Sequence, residues 1–161
     1  MIYAANGASI HICTTPQATE PVNAAAYEAL TFVKVGELET LGSFGDTAEE
    51  IVFRGLEYNR VQRLKGTRDA GTLETVFGRD YADAGQVALI AAEADDGADG
   101  DYAIKIAFND APSGGTPSER YFLAAVASAT EQLDQTNQVI KLASTLWINT
   151  KITRVNAASG V

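Results

Sequence analysis

A mainly β chain, arranged as a sandwich or barrel with one short flanking helix, is predicted by three features of the sequence. Period-two alternation of apolar and other side chains recurs along most of the chain, the pattern of strands. Only one stretch, about residues 84–95, repeats its apolar residues at helical spacing behind a capping pair. At 161 residues, 46% hydrophobic and 20% charged, the chain has room for one ordinary core, which buries roughly 70% of the surface of an unfolded chain this long. No period of 20–50 residues repeats, which excludes a solenoid or propeller.

Taken in order, residues 1–27 read as an extended arm outside the core. Asn, Thr, Pro16, Pro21 and seven Ala outnumber anything that makes an apolar face, and only Ile10-His11-Ile12-Cys13 alternates. Residues 28–161 read as one β-rich domain. Within it, Leu30, Phe32 and Lys34 alternate with Thr31, Val33 and Val35, so a strand is expected at 29–35, buried on both sides or at a subunit contact. Gly36, Gly42 and Gly45 with Glu37, Glu39 and Asp46 give residues 36–48 the composition of a long exposed loop, with a short extended piece near Leu38–Leu41. From Glu49 to Leu64 the alternation returns, and a bulge at Gly55 accounts for its shift. Lys65–Gly66 and Ala70–Gly71 bracket a turn into a strand at 72–79.

The helix over 84–95 begins at Asp83, whose spacing to Gln86 is that of a capping box, and Val87, Ile90, Ala91 and Ala94 supply its apolar stripe. So short a helix needs a sheet to pack on. Asp95–Asp101 is an acidic turn, and Tyr102, Ile104, Ile106 and Phe108 form one face of the next strand. Pro112–Ser118 is a hairpin connection, and 120–130 and 138–155 are further strands, the second long enough to be two.

Charge and composition exclude several functions. Twenty-one acidic residues against 12 basic ones give −9, so the chain as a whole repels nucleic-acid phosphates. One Cys and one His rule out a disulfide framework and a Cys/His zinc site within one chain. The longest apolar runs, Val87–Ala92 and Phe122–Ala127, fall far below the ~20 residues of a membrane-spanning helix. Residues 1–33 contain no Lys or Arg, so neither a secretory signal nor a transit peptide is expected, and the cytoplasm is the default compartment.

The candidate chemical sites read as structure. His11 and Cys13 share a strand face, but an activated Cys needs an oriented base and a metal needs more ligands, so a packed or interface pair is favoured. Aligning Asp95, Asp99 and Gly100 with a calcium loop puts Gly97 and Ile106 where ligands are required, which favours a solvated turn. Pro112–Ser118 lacks the Lys that a phosphate-binding loop needs. No catalytic, cofactor or metal site is assigned. The basic group Arg54, Arg60, Arg63, Lys65 and Arg68 contrasts with Asp69–Asp101, where nine acids accompany only Arg79. Two readings stay open: the patches meet between copies, or they pair within the chain.

The order of elements, with Lys65-Gly-Thr-Arg-Asp-Ala-Gly-Thr-Leu-Glu-Thr-Val-Phe and the run Asp-Ala-Gly-Gln-Val-Ala-Leu-Ile-Ala-Ala at 83–92, resembles the major tail tube proteins of long-tailed bacteriophages. The likeness covers about residues 28–155 and rests on the Lys-Gly turn, on Gln86 and Leu89 at the helix start, and on the strand Tyr102–Phe108. The resemblance implies a sandwich-like subunit in hexameric rings whose inner sheets join into one barrel, the rings stacking into a tube. Four strands from each of six copies, at ~4.8 Å spacing and ~40° tilt, close a barrel ~45–50 Å across.

It further implies a virion tail component assembled in the host cytoplasm, with no cofactor and no membrane. The implied partners are the chain itself, a tape measure, and tail terminator or tip proteins, with double-stranded DNA in transit and not bound. Strand-borne Glu49, Glu57 and Glu74 are the candidate lumen-facing acids. Ile10, Ile12, Leu38, Leu41, Phe44, Arg60, Arg63 and Arg68 are the candidate subunit contacts, with residues 1–27 and 36–48 as the segments that reach out. The alternatives are a tube protein of a contractile tail or type VI secretion system, and a monomeric β-sandwich binding module. The scatter of Trp147 and the Tyr residues along the chain argues against the module.

Overall fold

Strand alternation places Ile10, Ile12, Ile104, Ile106, Phe122, Val126, Leu73, Phe77, Leu142 and Leu146 on one face of a sheet, and that face is the core. The structure, a computed structural model, describes residues 1–160. Its elements in chain order are β1 (Ser9–Cys13), α1 (Ala24–Glu28), β2 (Phe32–Val35), β3 (Leu38–Leu41), β4 (Thr47–Phe53), β5 (Gln62–Asp69), β6 (Thr72–Gly78), α2 (Ala84–Ala94), β7 (Tyr102–Ala107), β8 (Glu119–Gln132), β9 (Lys141–Ile148) and β10 (Thr153–Val155). An eight-stranded antiparallel sheet runs β2-β1-β7-β8-β9-β6-β3 with β10 beside β8, and β4 and β5 form a separate two-stranded ribbon. The mainly β class is the one the alternation predicts.

Register explains the core. Ile10 faces Ile106, Ile104 faces Phe122, Val126 faces Leu146, and Phe77 faces Leu142. Each large apolar side chain so buried contributes roughly 1.5–3 kcal/mol. The sheet is also rolled. A flat sheet would set β2 and β3 about 29 Å apart across six strand spacings, yet the three residue steps from Val35 to Leu38 span about 11 Å at most. The two ends of the sheet therefore meet at Gly36–Glu37, where Glu37 takes a left-handed φ of 57°.

Helix α2 fastens this seam. Asp83 caps it by accepting from the Gln86 amide at 2.8 Å, the bond expected of the capping pair, and also accepts from the Gly36 amide at 3.1 Å. The Gln86 side chain does not reach back to Asp83. It is 0% exposed, donating to the carbonyls of Gly36 and Gly78 and accepting from the Asp80 amide and Arg79. One side chain thus ties the loop joining β2 and β3 to the end of β6. Gly85 packs so closely on β2 that a Cβ would overlap the Lys34 carbonyl.

Several expectations are corrected. Residues 9–13 do not lie outside the core: β1 sits between β2 and β7. Ile10 and Ile12, expected at a subunit contact, are 2% and 0% exposed within their own chain. Tyr27 of α1 is also buried, stacked on Tyr121 with ring centroids 5.4 Å apart. The strand expected from residue 29 begins at Phe32, because Ala29 still closes the turn of α1.

The stripe Val87, Ile90, Ala91, Ala94 is not the packed face of α2. Gly85, Gln86, Leu89 and Ala92 are, and Val87 is 52% exposed. In place of one bulged strand over 49–64, the chain turns back at 54–61, and β5 occupies the segment expected to be a turn. The short extended piece near Leu38–Leu41 is β3, and 138–155 divides into β9 and β10.

Candidate assembly surface

Two long ribbons dominate the molecule. Leu41 faces Thr75 and Thr47 faces Asp69, so between the two ladders one strand advances six residues while the other recedes six. The β4–β5 ribbon is therefore the β3–β6 hairpin continued in register past an interruption. The second ribbon is β8–β9, which bends at a bulge between Val126 and Ser128 and carries its tip at 133–140. The ladder from Thr72 facing Trp147 to Gly78 facing Lys141 joins them. The result is a four-stranded antiparallel sheet in the order β3-β6-β9-β8, with its two tips projecting from opposite ends.

One face of this sheet is the core and the other is uncovered. Alternation puts Thr72, Glu74 and Val76 of β6, Ala143, Thr145 and Trp147 of β9, and Ala125, Ser128 and Thr130 of β8 on the outer side. The outer face is thus built mostly of small and hydroxyl side chains, with Val76 and the exposed Trp147 among them and Glu74 exposed near its centre. Lys141 on the same face pairs with Glu39 at 2.8 Å. Among the described residues both lateral edges are open: β3 pairs only with β6, and β8 beyond Ala124 pairs only with β9.

Elsewhere the outer side of the sheet is covered. Cys13, Tyr27, Ala103, Tyr121 and Leu123 form a second buried cluster beneath α1, Leu30, Phe32 and Val155. His11 lies beside it, opposite Lys34 and Lys105 on the flanking strands. Its Nδ1 is buried without a partner, and burial together with the two lysines pushes its pKa down to about 4.

The lumen candidates separate. Glu74 stands on the uncovered face, Glu49 is exposed on β4, and Glu57 is borne by the connection 54–61 and not by a strand. Of the contact candidates, Leu38, Leu41 and Phe44 are partly buried against their own core. Arg60, Arg63 and Arg68 are exposed on the ribbon β4–β5 and its turn. Arg63 pairs with Glu50 on the facing strand, and no other ribbon cation has a carboxylate within 4.0 Å among the described residues.

Sequence reading missed that the ribbon has two faces. Cross-strand partners share a face, so Val52 opposite Arg63, Glu50 opposite Lys65 and Ala48 opposite Arg68 form a basic side. Ile51 opposite Leu64 and Phe53 opposite Gln62 form an apolar one. Leu64 is 63% exposed. Beside the Trp147 end of β9, the acidic turn after α2 is held by the Asp95 carboxylate, which accepts from the Tyr102 hydroxyl at 2.7 Å and the Gly97 amide. A cleft of about 250 Å³ there is lined by Asp95, Asp96, Asp101, Ala125, Ala127 and the 56%-exposed Trp147.

No family model matches the chain, and no curated protein matches it. Its fold is that of tube components of phage tails and related injection machines. It is similar to a chain of the sheath/tube terminator of an extracellular contractile injection system, PVC, with a TM-score of 0.68 and 11% identity over 96% of this chain and 97% of that one. The terminating cap of the anti-feeding prophage tube matches with a TM-score of 0.64 and 15% identity over 97% and 93%. The SPP1 tail tube matches with a TM-score of 0.62 and 12% identity over 94% of this chain and 77% of that one. The tail tube fold implied by the family resemblance is the fold found.

Proposed function

We propose that the chain is a structural subunit of a tail tube, assembling with itself into hexameric rings that stack around a bore. What carries this reading is the uncovered four-stranded sheet with both lateral edges open, set in a tube-like fold. Strands alternate in direction through β3-β6-β9-β8, so β8 runs antiparallel to β3. Pairing the β8 edge of one copy with the β3 edge of the next continues the same alternation indefinitely. Six copies supply about 24 strands and a barrel with a genuine channel. Open edges that are a hazard in a monomer become the joining surfaces of the ring.

On this reading the uncovered face lines the bore. Most of its side chains are small or hydroxyl, its Lys141 is paired with Glu39, and Glu74 repels phosphates, with Glu49 and Glu57 carried on the ribbon beyond. Six copies of a chain at −9 make a conduit that double-stranded DNA traverses without sticking. The partners are further copies, a tape measure within, and terminator and tip proteins at the ends. The site is the virion tail, and no catalysis is assigned. A tube of a contractile injection machine is the second reading, because PVC and the anti-feeding prophage are also among the matching structures.

Electron microscopy of the purified protein tests the proposal. Stacked rings enclosing a continuous barrel are expected, whereas rings that never stack point to a terminator and a persistent monomer refutes assembly.

A further inference from the structure

The free edge of β3 has a second strand-like segment of the same chain aligned with it. β2 and β3 run in the same sense, six antiparallel steps apart in the sheet, and only Gly36–Glu37 separate them, so β3 carries on where β2 stops. β1 pairs with β2 through Ile10 opposite Val35 and His11 opposite Lys34. Carried past Ile10 one residue at a time, that register sets Ala8 against Glu37, Asn6 against Glu39, Ala5 against Thr40 and Ala4 against Leu41.

The ladder nevertheless stops at Ile10. Residues 4–8 and Leu38–Leu41, with Phe108, Asn109 and Asp110, instead line a cleft of about 680 Å³. Two bonds hold the arm away from β3. The Ala8 amide donates to the Ala5 carbonyl at 3.2 Å and curls the segment, and the Asn109 side chain donates to the Asn6 carbonyl at 2.7 Å. Gly7 makes this clasp possible: its φ is 88°, and a Cβ there would lie 2.7 Å from the Asn109 amide nitrogen.

The side of β3 away from β6 makes no backbone hydrogen bond among the described residues, and such an edge invites pairing. It has room for one strand, either the arm or the β8 edge of a second copy. Ala4, Ala5, Asn6, Gly7 and Ala8 are small and poor strand formers, so a ladder built from them is weak enough to be displaced.

We propose that residues 4–8 are a guard strand for β3. They close on it in the register of the β1–β2 ladder and hide the joining edge, while the clasp of Asn109 on Asn6 and Gly7 holds them back so that a second copy pairs there. The proposal rests on the tube reading and adds a device that regulates assembly, since only subunits with the arm withdrawn are competent to join.

Cross-linking tests the closing directly. In an Ala5→Cys, Thr40→Cys variant, oxidation of the dilute monomer is expected to join the two cysteines within one chain, because Cys13 is buried. The locked subunit is expected to stay monomeric, and reduction to restore assembly. A pair that never joins, or a locked subunit that assembles like the reduced one, overturns the guard.

Two further variants test the balance. Deleting residues 2–7 is expected to lower the protein concentration needed for assembly by about threefold to tenfold, because the competent fraction sets the apparent affinity. Asn109→Ala frees the arm to close and is expected to raise that concentration by a similar factor, but to change nothing in the shortened chain. Residues 1–7 are exposed, so unchanged melting of the monomer is the folding control. An unchanged or raised concentration on deletion overturns the guard, and a shortened chain that still responds to Asn109→Ala overturns the clasp. Failure of the unmodified protein to form rings overturns the tube reading itself, and the cross-link in the monomer then still decides whether the arm closes.

Discussion

Gln86 shows how one buried polar residue is paid for by the bonds around it. Replacing it with Leu fills similar volume but leaves two carbonyls, the Asp80 amide and one Arg79 contact without their partner. Stranding buried polar groups costs about 1–3 kcal/mol each at most, so Gln86→Leu is expected to cost roughly 2–4 kcal/mol and lower Tm by about 5–15 °C. A thermal melt of the monomer checks this, and a change below about 1 kcal/mol would mean that the seam at Gly36–Glu37 does not depend on Gln86.

His11 gives a second prediction at the same scale. Its folded pKa near 4 lies below the value of about 6.5 expected unfolded. Between these values the unfolded chain binds the proton more readily, so His11 favours folding above pH 6.5 and this contribution fades as pH falls toward 4. Lys34 and Lys105 face it and Glu119 partly offsets them. In denaturant melts at pH 7 and pH 4.5, His11→Gln is expected to lose less stability on acidification than the parent chain. An equal loss would exonerate His11.

At the level of elements, the ribbon β4–β5 contributes little to the fold of its own subunit. Every residue of both strands is exposed apart from half-buried Gly66. Replacing residues 48–68 with a short turn is expected to leave the monomer within about 1 kcal/mol of the parent, as for exposed segments generally, while abolishing rings. Melting and light scattering on one sample separate the effects.

The same exposure explains which elements were legible. Alternation of Tyr102, Ile104 and Ile106 and the Asp83–Gln86 cap read correctly because a core and a helix terminus impose them. On the ribbon no core enforces parity, so the return of the chain at 54–61 looked like a bulge at Gly55. Strand β1 offered four alternating residues amid Ala, Thr and Pro, too few to outweigh their surroundings. The buried face of α2 was missed because Gly85 is chosen for close approach and Gln86 for its bonds, and neither looks apolar. The acids Glu49 and Glu74 could be placed on strands, but which way a strand faces in a ring depends on neighbours the chain does not encode locally.

For the whole molecule, charge is unevenly spread. The uncovered sheet has Glu74 near its centre, while four of the 21 acidic residues gather at the turn 95–101. Virions carrying Glu74→Lys would place a ring of cations in the bore, spaced within reach of passing phosphates, and slower DNA delivery is expected. Unchanged delivery would remove Glu74 from the channel. The effect should shrink as salt rises, because screening acts over about 8 Å at physiological ionic strength.

Strand β3 has two obligations at once. It is the last piece of the rolled sheet, paired with β6 and preceded by a loop that Gln86 and Asp83 draw onto α2, and in the proposed tube it is the first piece offered to the next copy. If the proposed tube forms, a chain that has not finished folding has no ordered edge to lend, and polymerisation then inspects each recruit before admitting it.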